Sequence, residues 1–206
     1  MKLYYAPGAC SLAAHISLRE AGLDFELVKT DLRAKKTADG RDYLTVNPKG
    51  YVPALELDDG SVLTENAAVL SYIADRNLGA GLAPPARSME RYRLAEWLAF
   101  INSEIHKSFS PFFSPATPDA YKDILRAHLG RRLGYVQGML ERGPFLIGQA
   151  FTVADAYLFT LMRWCDKAGL ERVQWPAIQR HFQATAQRPR VLQALQAEGL
   201  PPPDRL

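Results

Sequence analysis

The sequence predicts a two-domain chain: an α/β unit of order βαβ-α-ββα over residues 1–78, then an all-helical unit over residues 88–206. Three observations carry that expectation. Short strand-like runs alternate with helical patterns through the first third of the chain. An Asp58-Asp59-Gly60 turn divides two alternating apolar segments, Tyr51–Leu57 and Ser61–Thr64, which is a strong hairpin signal. A Gly- and Pro-rich stretch over 79–87, including Pro84-Pro85, reads as a linker to a remainder whose apolar residues recur at helical spacing.

Taken in order, Leu3-Tyr4-Tyr5-Ala6 reads as a strand that Pro7-Gly8 ends. Leu12 and Ile16 open a helical stripe that stops near Gly22, and Phe25-Glu26-Leu27-Val28 reads as a second strand. A strand, helix and strand in this order imply a right-handed crossover and a parallel pair. Residues 31–43 are charged and contain Gly40, so a loop with a short, weak helix is expected. After the hairpin, Asn66 is placed to cap a helix whose apolar face is Ala67, Leu70, Ile73 and Ala74. The order is thioredoxin-like, a mixed sheet covered by helices.

In the second half, Leu94, Trp97, Leu98, Ile101 and Ile105 mark a helix over Arg91–Lys107. Another spans Tyr121–Leu140, weakened by Gly130, Gly134 and Gly138. Thr152-Val153-Ala154-Asp155 has the capping-box pattern that opens a third. Two more fit Pro176–Gln187 and Pro189–Glu198.

Composition narrows the function classes. Hydrophobic residues make up 48% and charged residues 23%, which argues against disorder. The 25 basic and 22 acidic residues are mixed along the chain without a basic run, so no nucleic-acid partner is expected. Cys10 and Cys165 are too few and too far apart for a disulfide framework, and His15, His106, His128 and His181 lack zinc-ligand spacing. No metal is therefore expected. The uncharged run over residues 3–18 holds Pro7, Gly8 and His15 and is too short for a membrane span. A cytoplasmic, reduced protein without a membrane partner is the expected class.

Cys10 is the most informative single residue. It follows the first strand and its breakers and immediately precedes a helix. Unpaired N–H groups and the positive end of the helix dipole favour an anion there. A thiol of ordinary pKa, about 8.5, would be drawn toward thiolate in such a place. Two chemistries fit: a reactive cysteine, or a cradle for the sulfur of a bound ligand. Cys165, beside Trp164, reads as core packing.

Five blocks then occur in order: Ala6-Pro7-Gly8-Ala9-Cys10-Ser11; Asn47-Pro48-Lys49-Gly50-Tyr51-Val52-Pro53-Ala54-Leu55; Leu63-Thr64-Glu65-Asn66; Glu104-Ile105-His106-Lys107; and Phe151-Thr152-Val153-Ala154-Asp155-Ala156-Tyr157. With them, nearly the whole chain resembles the cytosolic glutathione transferases, and more closely their bacterial beta class, which carries a cysteine at this point. The resemblance implies an enzyme with glutathione as co-substrate. It would lower the glutathione thiol pKa and conjugate the tripeptide to small hydrophobic electrophiles, with thiol–disulfide exchange through Cys10 as a further option. A homodimer is implied as well.

The resemblance also assigns residues. Cys10 and His106 are the catalytic candidates. Val52 precedes Pro53, held cis in the family, and its N–H and C=O are left to pair with the tripeptide backbone. Glu65 accepts from the ligand ammonium, and the N–H groups after Asn66 receive its α-carboxylate. Lys35 pairs with the other carboxylate. Ser103, Glu104, His106 and Lys107 share a helix facing the first domain, with Ser103 and its neighbours acting across the dimer interface. His106 and Lys107 both stabilise a thiolate near Cys10. Lowering a thiol pKa by two units corresponds to about 2.7 kcal/mol.

Two positions depart from the family pattern: Ala99 stands where Asn is common, with Asn102 nearby, and Asn66 replaces a smaller residue. Tyr4, Tyr5 and Ser11 are weaker rivals of Cys10, because related classes use a hydroxyl near the first strand. Phe109, Phe112, Phe113, Tyr157 and Trp164 either line an apolar pocket or pack helices. Thr152 and Asp155 read as structural. A glutathione-dependent dehalogenase or isomerase, or a non-catalytic binding protein on the same fold, are the alternatives.

Overall fold

The structure, a computed structural model, describes residues 1–202; residues 203–206, the end of the expected helical unit, lie outside the described residues. Five strands, β1 (Lys2–Tyr5), β2 (Glu26–Asp31), β3 (Lys36–Thr37), β4 (Ala54–Glu56) and β5 (Val62–Thr64), form one mixed sheet of order β3-β2-β1-β4-β5. Strand β1 (Lys2–Tyr5) pairs in parallel with β2 (Glu26–Asp31), Leu3 opposite Leu27. Helix α1 (Ser11–Glu20) makes the crossover between them. On its other side β1 runs antiparallel to β4 (Ala54–Glu56), which pairs with β5 (Val62–Thr64) across the expected hairpin.

Strand alternation gives the sheet two different faces. Leu3, Tyr5 and Leu55 point into the main core with α1 and the helical half. Tyr4 points the other way, into a small cluster with Val28, Tyr43, Val52 and Ala54.

Local details differ from expectation where periodicity is weak. The second strand extends to Asp31 instead of stopping at Val28. Residues 31–43 hold no helix before their last residue. They contain the two-residue strand β3 (Lys36–Thr37), antiparallel to the end of β2, before a 3-10 turn at Tyr43–Thr45 capped by the Asp42 side chain. Tyr51, Val52 and Pro53 stay outside β4, and the Val52–Pro53 peptide is cis. Helix α2 (Asn66–Arg76) starts on Asn66 itself, so Asn66 is not its cap; Glu65 holds that position at φ +69°.

The helical half begins with α3 (Met89–Phe100), capped by Ser88, whose hydroxyl accepts from the Arg91 N–H. The rod continues through a π-helical turn at Ile101–His106, then α4 (Lys107–Phe109) and a 3-10 turn at Ser110–Phe113. Helix α5 (Asp119–Leu140) survives its three glycines. A methyl group at Gly130, Gly134 or Gly138 would meet nothing within 4 Å, so none marks a close approach. The buried stripe Leu125, Leu129, Leu133, Val136 and Leu140 holds the helix instead.

Helix α6 (Val153–Met162) is buried along its whole length and opens with the expected capping box. Asp155 Oδ2 accepts from the Thr152 N–H at 2.9 Å, and Thr152 Oγ1 from the Ala154 N–H at 3.3 Å. The other Asp155 oxygen accepts from Leu146 N–H at 2.9 Å and lies 2.9 Å from His181 Nε2. A one-turn helix α7 (Cys165–Ala168), separate from α6, buries Cys165. Helices α8 (Pro176–Ala186) and α9 (Pro189–Ala197) complete the described chain. Helix α1 packs on α2, α6 and α9 as well as the sheet, so it carries Cys10 at the seam between the two halves.

Candidate functional site

A cleft of about 490 Å³ opens at that seam, between the start of α1, the Val52–Pro53 loop, the β5–α2 turn and the π-helical turn. Cys10 reaches it from a clamped turn. Gly8, at φ +69°, takes a backbone conformation that favours glycine. Its N–H donates to Glu198 Oε2 at 2.9 Å and its carbonyl accepts from Trp164 Nε1 at 2.9 Å.

The cysteine corrects the sequence expectation. Its half-buried thiol donates to the Val52 carbonyl at 3.0 Å. Burial pushes the Cys10 pKa up to about 12, outweighing the N–H groups of Cys10 and Ser11 and the charge of Lys107, while Glu65 adds to the rise. The helix start does favour a thiolate, as the sequence implied. The desolvated sulfur, already committed as a donor, makes the neutral form win. The Val52 carbonyl is accordingly occupied by this thiol, not free.

Of the two ways open to His106, charge or hydrogen bond, the structure favours the hydrogen bond. Burial, then the Lys107 charge, lowers its pKa to about 4 against the pull of Glu65, so at neutral pH the ring is uncharged. Its Nδ1 lies 2.6 Å from the Tyr157 hydroxyl, which donates to Asn102 Oδ1 at 3.0 Å. A hydroxyl has a single proton. With that proton on the Asn102 bond, Tyr157 accepts from Nδ1–H, and the Nε2 lone pair is left for the cleft. Lys107 is then the one cation that the π-helical turn and its exit bring to the cleft.

Asn66 donates from Nδ2 to the Cys10 carbonyl at 3.0 Å, and its buried Oδ1 has no partner among the described residues. Glu65 lines the cleft in a left-handed backbone conformation uncommon outside glycine. Its carboxylate meets Lys49 Nζ at 2.7 Å, and the same ammonium donates to Thr64 Oγ1 at 3.0 Å.

Other expected residues stand elsewhere. Lys35 donates to the Gly50 carbonyl at 2.8 Å and lies over the Tyr51 ring, outside the cleft lining. Ser103 donates to Ala99 O at 3.0 Å, and Glu104 pairs with Arg132 at 2.7 Å and His128 at 3.6 Å; neither lines this chain's cleft. Ala99 is exposed and also outside it. The π-helical turn presents Asn102 and His106 to the cleft, and Lys107 and Ser110 follow from its exit.

Lys49 lines the cleft without having been expected there, whereas Asn102, noted beside Ala99, and Tyr157, expected as pocket wall or helix packing, are the residues that hydrogen bonds link to His106. Lys49 and Tyr157 do lie inside the blocks singled out in the sequence. The hydroxyl rivals of Cys10 have structural partners: Tyr4 donates to Glu56 at 2.7 Å, Tyr5 packs near His15, and Ser11 accepts from the Ala6 N–H at 3.3 Å. Among the aromatic candidates, Phe109 is fully buried and Phe112 lies under the Arg126 guanidinium. Phe113 is half exposed, edge-on to Trp164 at 5.0 Å, and Trp164 in turn lies 5.2 Å from the His106 ring. Among the described residues no helix is long and apolar enough to cross a membrane, and no group of three His, Cys, Asp or Glu side chains could hold a metal ion.

Known proteins share both the sequence and the fold of this chain. Residues 1–75 match the family model "Glutathione S-transferase, N-terminal domain", and residues 100–189 match "Glutathione S-transferase, C-terminal domain". The chain is 50% identical to the glutathione S-transferase GstA of Escherichia coli O157:H7, over 97% of this chain and 100% of the relative. A sphingomonad glutathione S-transferase solved in complex with glutathione superposes with TM-score 0.94 at 49% identity, covering 98% of this chain and all of that one. A bacterial beta class glutathione S-transferase from Sphingomonas chungbukensis does so with TM-score 0.94 at 46% identity, with the same coverage.

Proposed function

This chain belongs to the glutathione S-transferase family, in its bacterial beta class, and from that premise we propose how its cleft activates glutathione for attack on small apolar electrophiles. The observation that carries the proposal is the grouping of the neutral His106, Lys107 and the Cys10 thiol around one cleft. The tripeptide lies along the Val52 backbone. Its ammonium takes Glu65 in place of Lys49, and its α-carboxylate meets the N–H groups at the start of α2. The unpartnered Asn66 Oδ1 offers an acceptor to a ligand N–H, which removes the cost of leaving it buried and unpaired.

In the chemical step, the glutathione thiol gives its proton through His106 Nε2 to solvent, since a ring with a pKa of about 4 does not keep it, and Lys107 holds the resulting thiolate by charge. The sulfur electron pair forms the bond to carbon and the leaving group departs with its own pair. Tyr157 and Asn102 act as positioning residues by keeping the His106 proton on Nδ1. A charge-assisted contact contributes about 1.5–3 kcal/mol, the scale that a two-unit fall in thiol pKa requires. Cys10 enters as a neutral S–H donor. Thiol–disulfide exchange through it is the subordinate route, because it first needs the buried thiol to ionise.

The same reading places the glutathione unit at residues 1–78, the linker at 79–87 and the electrophile pocket in the helical unit from residue 88, with Phe113 and Trp164 as its apolar wall. Ser103 and Glu104, standing off their own chain's cleft, are assigned to a homodimer interface. Cytoplasmic location belongs to this reading, as does the absence of a metal.

The test is steady-state conjugation of a chloronitroarene. His106→Ala lowers kcat by about 10²-fold, the scale of general-base catalysis. Tyr157→Phe lowers kcat by about tenfold with an unchanged KM for glutathione and a displaced pH profile, since it disturbs only the base. Wild-type rates in both variants would overturn the assignment.

A further inference from the structure

Lys49 brings to the glutathione cleft the same chemical group that the ligand carries. Its ammonium donates to Glu65 Oε1 at 2.7 Å and to Thr64 Oγ1 at 3.0 Å, and all three residues line the cleft. A primary ammonium has three protons to give, and two of them already sit on acceptors that a ligand ammonium at Glu65 would use. The contact is arranged for exchange. Beneath it the backbone is fixed: the buried Asn47 side chain accepts from the Lys49 N–H at 3.1 Å and donates to the Tyr51 carbonyl at 2.7 Å. The Lys49 and Glu65 side chains are themselves 54% and 62% exposed, so the ion pair opens without unpacking its surroundings.

A site that hydrogen-bonds one group of a substrate ordinarily rejects an analogue lacking that group, because the protein's own polar atom is left unpaired. Lys49 removes that cause of rejection. With no ligand ammonium present, it stays in place and Glu65 keeps its partner. Its charge also neutralises Glu65 beside the start of α2, where the ligand α-carboxylate is placed. Without Lys49 those two carboxylates would repel each other. Glutathione, in turn, must displace Lys49, so it exchanges one ammonium for another and its amine adds little to affinity. An exposed ion pair of this kind shifts an equilibrium by up to about fivefold.

We propose that Lys49 sets the thiol specificity of the cleft by standing in for the ligand's ammonium. The cleft then takes glutathione and also thiol tripeptides of the same shape that lack a free α-amine, such as desamino-glutathione (glutaryl-cysteinyl-glycine). The inference rests on the reading that Glu65 receives the glutathione ammonium. The wild-type protein separates the two thiols by less than about tenfold, far below the roughly 10⁴-fold of a site whose acceptor is left unpaired.

The test is calorimetric titration of the full-length protein with glutathione and with desamino-glutathione. Lys49→Met, which keeps the stem and loses the charge, binds glutathione up to about fivefold more tightly and the desamino thiol more weakly by a similar factor. The preference for the amine therefore widens by about tenfold, an opposite movement of two ligands that a general loss of stability does not produce. Lys49→Arg keeps the wild-type preference. Adding Glu65→Gln to Lys49→Met abolishes the widened preference. If Lys49→Met keeps the wild-type preference while the double variant loses it, Glu65 takes the amine and the role of Lys49 is overturned alone. If the double variant shows the same preference as Lys49→Met, Glu65 is not the ammonium acceptor, and both that reading and the proposal fall.

Discussion

His15 on α1 and Glu198, just beyond α9, meet at 2.9 Å with neither side chain open to solvent, so the end of the chain braces the helix that carries Cys10. The second Glu198 oxygen holds Gly8 N–H at 2.9 Å. Removing the carboxylate leaves a buried imidazole nitrogen and a backbone N–H without partners, each costing about 1–3 kcal/mol. Glu198→Ala is therefore expected to lose about 2–5 kcal/mol in urea unfolding, and Glu198→Gln less. Equal midpoints for wild type and Glu198→Ala would show that this contact does not stabilise the fold.

The raised thiol of Cys10 predicts slow alkylation. At pH 8 a pKa of about 12 leaves roughly one thiolate in ten thousand, against roughly one in four for a thiol of ordinary pKa, about 8.5. Iodoacetamide should label Cys10 in the ligand-free protein about a thousandfold more slowly than free cysteine, with a rate still climbing above pH 9. A labelling rate that levels off below pH 7 would mean that the helix start wins over burial after all. Cys165, buried, with its pKa likewise pushed up to about 12, will not obscure the readout.

His106 makes stability depend on pH in a defined window. Its folded pKa of about 4 lies below the unfolded value of 6.5, so the unfolded chain binds the extra proton between these limits. The contribution is complete above about pH 6.5 and is lost as pH falls toward 4, amounting to about 3 kcal/mol in all. Unfolding free energies measured from pH 4 to pH 7 should rise with pH more steeply in wild type than in His106→Gln. Parallel curves would show that the ring is not held neutral.

Much of the architecture could be read from residue patterns, and the reasons are local. Asp58-Asp59-Gly60 places a turn between two alternating runs, and Thr152 with Asp155 satisfies its own helix start, so both features need only neighbouring residues. The strand Lys36–Thr37 has no such signature, because two residues cannot display a period. The π-helical turn escapes because the apolar pair Ile101 and Ile105 and the cleft-facing Asn102, His106 and Ser110 all keep a four-residue spacing that suits an α-helix. Of the two chemistries that the chain position of Cys10 leaves open, the neutral thiol favours the cradle over the reactive cysteine, and the Val52 carbonyl and the burial that decide this come from distant segments. Lys49 is a loop lysine without a pattern, and only folding brings it to Glu65.

The widened turn at Ile101–His106 also acts as a phase boundary along one continuous rod. Residues upstream answer to one angular register and residues downstream to another. Insertion or loss of one amino acid there would swing Lys107 and Ser110 to new bearings while Leu94 and Trp97 kept their seats. A change of chain length at this point therefore acts on the glutathione cleft itself, because Lys107 lines it.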